Sequence, residues 1–186
     1  RFFVDGCLNN CSVCIMKLQN MFENENQTIR VLTLRQNLYE VLFDKLKVYP
    51  LLHSLDCKNG FFIVVGYGSN DPAELAIECL NFVFSIFNEF AIMMSNNSNG
   101  SNYSFSIQQS GTLFAVVETA GSIQVGWTGQ DNKKVIVSGE LIERALKVLD
   151  NACLAGNICV SKKTYDFIMM HDYLFNEKVI EYKKNN

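Results

Sequence analysis

The stretch LAIECLNFVFSIFNEFAIMM, residues 75–94, narrows the possible folds more than any other. A run this apolar either crosses a bilayer or fills the centre of a folded domain. Glu78, Asn81, Asn88 and Glu89 interrupt it, and each is expensive at bilayer depth. It therefore reads as a core helix, opened by Asp71-Pro72, where proline's missing N–H falls at an early helical position and costs little. Such a helix needs a large apolar surface to lie on, and the rest of the chain has to supply it.

Strand-like segments surround it. CSVCIMKL alternates and reads as an opening strand. RVLTLRQNLYEVLFDKLKVY sets Leu34, Leu38, Val41, Leu42 and Leu46 at three-and-four spacing, an amphipathic helix that Pro50 ends. LDCKNGFFIVVGYG reads as a hairpin whose turn holds Asn59-Gly60, the pair that most readily takes positive φ. SNNSNGSN, residues 95–102, is a polar surface loop. Then come the strand candidates YSFSIQQ, TLFAVVET, SIQVGWT and KKVIVS, separated by Gly111, Gly121 and the turn TGQDN. The helix GELIERALKVLDNA follows, burying Leu141, Ile142, Ala145, Leu146, Val148 and Leu149, and after it the strand NICVS, the short helix KKTYDFIMM and an edge strand EKVIEYKK. Helices alternating with a mostly antiparallel sheet in one domain, residues 1–186, predict an α+β sandwich of the ferredoxin-like kind.

A formal net charge of −3 gives no basic surface for nucleic acid. Seven cysteines without a paired framework read as reduced core thiols in an intracellular chain. Cys11 and Cys14 form a C-x-x-C, but no second pair completes a zinc site. A chain that begins at Arg1 is expected to be an intracellular domain of a longer protein, the cytoplasmic part of a membrane-anchored parent being one of the options left open. His53 and His171 read as isolated residues and Trp127 as core.

The last third, VIVSGELIERALKVLDNACLAGNICVSKKTYDFI, resembles the class III nucleotidyl cyclase catalytic domain, the adenylyl and guanylyl cyclase family. Gly139, Ala145, Gly156, Val160, Ser161, Thr164 and Tyr165 fall in step with the family's Y-D-x-W-G-x-x-V-N-x-A-x-R stretch and the strand and helix after it. SGTLFAVVETAGSIQVGWTG is similar to the S-G-x-x-x-A-G-x-V-G region through Ser110 and Gly111. The hairpin resembles K-x-x-G-D-x-x-x-x-V-G, ending at Val65 and Gly66, and CSVCIMKLQNMF resembles F-x-D-I-x-G-F, ending at Phe22.

The resemblance implies attack of a ribose 3′-hydroxyl on the α-phosphate of ATP or GTP, between two domains, with two Mg²⁺ or Mn²⁺ ions held by two aspartates. Those aspartates fall at Leu18 or Gln19 and at Gly60, none of which supplies an anionic oxygen. The nearest acid, Asp56, stands where the family reads the base with a lysine, and the second base-reading position is Ile136, which has no hydrogen bond to offer a purine. The family's Asn and Arg correspond to Glu143 and Lys147. Lysine lacks arginine's planar fork, and the glutamate sets negative charge against a polyanion. Four apart on a helix, Glu143 and Lys147 read more simply as a surface ion pair, with Arg144 as the basic match if the register slips. The expectation is a catalytically silent half that pairs with another cyclase domain, with no cofactor of its own and Mg²⁺ or Mn²⁺ with a nucleoside triphosphate only if the partner brings the acids. Alternatives are an active half complemented by a metal-binding partner and a scaffold module.

Overall fold

The computed structural model describes residues 6–19, 25–56, 61–96, 112–128, 134–153 and 156–169. In chain order these form β1 (Gly6–Gln19), α1 (Glu25–Leu46), β2 (Leu52–Asp56), β3 (Phe61–Gly66), α2 (Pro72–Asn96), β4 (Thr112–Thr128), β5 (Lys134–Ser138), α3 (Glu140–Ala152), β6 (Ile158–Val160) and α4 (Lys162–Met169). The sheet runs β2-β3-β1-β4-β5, all antiparallel, with β6 added parallel to β4. The expected strand YSFSIQQ, the edge strand EKVIEYKK, the loop at 97–102, the hairpin turn with Gly60, and His171 lie outside the described residues.

Strand alternation sorts the side chains onto two cores. On one face Cys14, Met16, Leu18, Phe62, Val64, Ala115 and Val117 pack against α1, α2 and Ile168 of α4. On the other, Cys11, Val13, Ile15, Val65 and Val116 pack against Leu141, Ile142, Ala145 and Leu149 of α3. Helix α2 is long and apolar enough to cross a membrane by length and composition. Its Leu80, Phe82, Val83 and Ile86 are buried in the first core, each contributing about 1.5–3 kcal/mol, and Cys79 is buried beside them. Asp71 caps it, its carboxylate accepting the Ala73 N–H at 2.9 Å.

TLFAVVET and SIQVGWT, expected as two strands, are one. Ala120 takes φ 56° and Asn10, across the ladder on β1, takes φ 55°. The register of β1 and β4 shifts on both sides of Cys11, so the two strands bend together and stay paired through Gly6↔Val125. A bulge on each strand lets the ribbon turn without ending. That bend carries β5 round the sheet until it approaches β2, the strand at the opposite end of the order.

Candidate functional site

The C-x-x-C spacing sets Cys11 and Cys14 on opposite faces of β1, both fully buried, so they share no metal. Burial and the neighbouring Cys7 push the Cys11 thiol up to about 11, and Cys14 raises the Cys79 thiol across the core through a hydrogen bond, aided by burial. Neither is a nucleophile at neutral pH.

The end of the sheet expected to hold metal acids is apolar. Leu18 is 6% exposed and belongs to the α1–α2 core, paired in register with Leu113. Gln19, the alternative position, is exposed at the end of β1. Lys17 pairs with Phe61 on one side and Phe114 on the other, and its ammonium lies 5.2 Å from the Phe61 ring centre. Phe61 follows Gly60, so β1's end and the hairpin share this edge of the sheet. A buried leucine and a lysine do not fit a pair of divalent cations, whose ligands are anionic or carbonyl oxygens.

The approach of β2 to β5 brings together the strands that carry Asp56 and Ile136. Asp56 pairs in register with Ile63, and Ile136 with Gly126. Their side chains, and that of Trp127, lie outside the described residues. His53, on β2, lies against Tyr67 with ring centres 4.5 Å apart and the ring planes tilted by 34°.

Helix α3 presents the remaining expected residues. Gly139 starts it at φ 124°, where an added Cβ would lie 3.0 Å from the Ser122 carbonyl oxygen, so only glycine fits. Leu141, Ile142, Ala145 and Leu149 face the sheet, which leaves Glu143 and Lys147 exposed on the outer side. The expected Glu143–Lys147 ion pair does not form among the described residues. Arg144 makes the helix's ion pairs among the described residues instead, because of its charged residues it alone sits half-buried at the margin of the buried face.

Arg144 exposes a charged centre that sequence reasoning missed. Its Nε donates to Glu118 Oε2 at 2.8 Å and its Nη2 to the Thr119 carbonyl at 2.6 Å. Glu118 is fully buried. It also accepts from the Ser161 N–H at 2.9 Å, the Ser161 hydroxyl at 2.8 Å and the Thr164 hydroxyl at 3.2 Å. Next to it, Thr119 donates its N–H to Thr164 and its hydroxyl to the Pro72 carbonyl, and shares a hydrogen bond with Ser12. Lys163 donates to the Ala120 carbonyl at 2.9 Å. Residues 118–120 thus tie β4 to β1, to the start of α2, to α3 and to the capped start of α4. The sequence signal was a carboxylate inside the apolar run TLFAVVET, a position that demands a cation from elsewhere in the chain.

This is the fold of class III adenylyl and guanylyl cyclase catalytic domains. The chain is similar in structure to the adenylyl cyclase CyaB from P. aeruginosa, with a TM-score of 0.66 and 14% identity over 90% of this chain and 84% of that one. It is likewise similar to the guanylate cyclase domain of RhGC from Catenaria anguillulae, solved with GTP, at TM-score 0.63 and 16% identity over 88% and 84% of the two chains. A dimeric guanylyl cyclase domain of the RhoGC fusion protein from Blastocladiella emersonii gives 0.62 and 16% over 89% and 86%. No protein-family model and no curated protein sequence matches the chain.

Proposed function

We propose that this domain is a class III cyclase-homology half without turnover of its own, which pairs with another cyclase domain in cyclic-nucleotide signalling. The observation that carries the reading is Leu18, one of the two positions the family resemblance gives for the first metal acid, an aliphatic side chain sealed into the core; the other, Gln19, is an uncharged amide. The positions kept from the family resemblance have structural work here: Gly139 and Gly156 take positive φ, Ala145 is buried between α3 and the sheet, and Ser161 caps α4. The positions changed are those that would touch metal or nucleotide. Glu143, an anion on the exposed side of α3, disfavours a triphosphate beside it.

The test is cyclic-nucleotide formation from ATP or GTP with Mn²⁺. The chain alone yields none, and turnover by it overturns the reading. Mixed with a catalytically competent cyclase domain it forms a complex whose activity is unchanged by Lys147→Ala. Loss of that activity makes Lys147 a working phosphate contact and this chain an active half, to which the partner supplies the acids and Mg²⁺ or Mn²⁺.

A further inference from the structure

Among the described residues two pairs of cysteines hydrogen-bond thiol to thiol, and they differ in access. Cys14 and Cys79 meet across the first core, both fully buried. Cys153 and Cys159 meet where α3 ends and β6 begins, and both are only half-buried. Five residues separate them, among them Gly156 at φ 77°. Cys153 leaves α3 with extended backbone, φ −82° and ψ 117°, and Cys159 lies in register with Val116 of β4. Sulfurs in such contact need only a small side-chain rotation to reach bonding distance, about 2.05 Å. The Cys153 Sγ also sits 3.3 Å from the Ala115 carbonyl oxygen and 3.5 Å from that of Asn157. Ringed by acceptors, this thiol keeps its proton: the hydrogen bond to Cys159 and then burial raise its pKa well above the ordinary thiol value. Cys159 is therefore the sulfur of the pair that attacks first, as a thiolate receiving that hydrogen bond.

We propose that Cys153 and Cys159 are a reversible modification site, oxidised by a small-molecule disulfide to an internal disulfide that fastens the end of α3 to β6. The Cys159 thiolate, its proton given to solvent, attacks one sulfur of the oxidant, breaks the oxidant's S–S bond and releases one small thiolate, leaving a mixed disulfide on Cys159. Cys153 passes its proton to that released thiolate and attacks the Cys159 sulfur. The protein S–S bond forms, and the second small thiolate leaves and takes a proton from solvent. The protein pair loses two electrons and the oxidant becomes two thiols. The link adds to a thin connection, since β6 pairs with β4 through three residues and α3 has no basic residue in its last turn. It also ties together the two elements that grip one carboxylate, because Arg144 on α3 and Ser161 just beyond β6 both donate to Glu118.

Oxidised glutathione, added to the native full chain at mildly alkaline pH, tests this. After the remaining thiols are alkylated, the tryptic peptide Val148–Lys162, which holds Cys153 and Cys159 and no other cysteine, is expected to have lost the mass of two hydrogen atoms. The melting temperature rises by about 5 °C, the gain that closing so short a ring gives a chain of this size. Excess dithiothreitol reverses both changes, and Cys14 and Cys79 stay reduced throughout. Cys153→Ser and Cys159→Ser, each checked for an intact melting transition in reductant, show neither change. If a serine variant fails to fold, the wild-type peptide map decides alone. Glutathione that stays as a mixed disulfide on either cysteine overturns the proposal, as does a link that forms only after unfolding in urea or one that joins Cys14 to Cys79. A linked peptide with no rise in melting temperature overturns the fastening of α3 to β6.

Discussion

Two regions of this sheet treat charge in opposite ways. At the junction of β4, α3 and α4 a carboxylate is fully buried and surrounded by donors from Arg144, Ser161 and Thr164. At the far end of β1, Leu18 is buried in the core and Lys17 lies over an aromatic ring. The first region shows what a buried charge requires in order to persist, namely a partner for every lone pair. The second places no carboxylate among its described side chains and is held by apolar packing, with Lys17 set over the Phe61 ring.

The largest effect comes from unpairing the first region. Glu118→Ala leaves the Arg144 guanidinium, partly buried, and two hydroxyls without their acceptor, and is expected to cost about 3–5 kcal/mol in urea unfolding. Glu118→Leu combined with Arg144→Met removes both charges together and recovers to within about 1 kcal/mol of wild type. If the single and double variants are equally unstable, the junction is held by shape and not by charge satisfaction, and the contrast between the two regions fails.

Placing an acid in the second region is the converse experiment. Leu18→Asp sets a carboxylate into the α1–α2 core with no donor in reach and is expected to cost about 3 kcal/mol. Millimolar Mn²⁺ is expected to leave its melting temperature unchanged. Stabilisation by the ion shows instead that this end of the sheet opens to metal.

Much of the frame was legible in the sequence, and the reason lies in how local the signals are. Asp71-Pro72, the periodicity of α3 and the alternation of β1 each speak through neighbours a few residues apart. The bend in β4 did not, because Gly121 looks like a strand break and only the matching distortion at Asn10, more than a hundred residues earlier, keeps the ribbon paired. The approach of β2 to β5 follows from that bend and was equally invisible. Glu118 and Arg144 were each visible as residues, but their pairing is a tertiary fact. Family resemblance drew attention instead to Glu143 and Lys147, which flank the working residue on the helix.

Ala120 sharpens the comparison at smaller scale. It is an L-residue held at φ 56°, with Arg144 and Lys163 gripping the carbonyls of Thr119 and Ala120. Ala120→Gly relieves the steric cost of the left-handed region against a larger unfolded-state entropy and is expected to stabilise by about 0.5 kcal/mol. A loss of stability shows that the methyl group packs usefully at the bend.

The smallest effect belongs to a carboxylate between the two extremes. Glu78 faces the cleft beside Asp71 and Glu74 and accepts one N–H, from Leu51 at 3.3 Å. Burial raises its pKa above the ordinary glutamate value; the Leu51 N–H lowers it in part, and Glu74 adds to the rise. A raised native value means the folded state holds its proton longer than the unfolded one, so stability falls as pH climbs from the unfolded pKa through the folded one. Glu78→Gln keeps an acceptor for Leu51 and removes the charge. It is expected to stabilise by about 0.5 kcal/mol or less at pH 7, with the gain vanishing below the unfolded glutamate value near pH 4, where both forms are neutral. A gain that persists in acid places its origin in packing. A loss at pH 7 shows that Glu78, like Glu118, has found the partners that a buried charge requires.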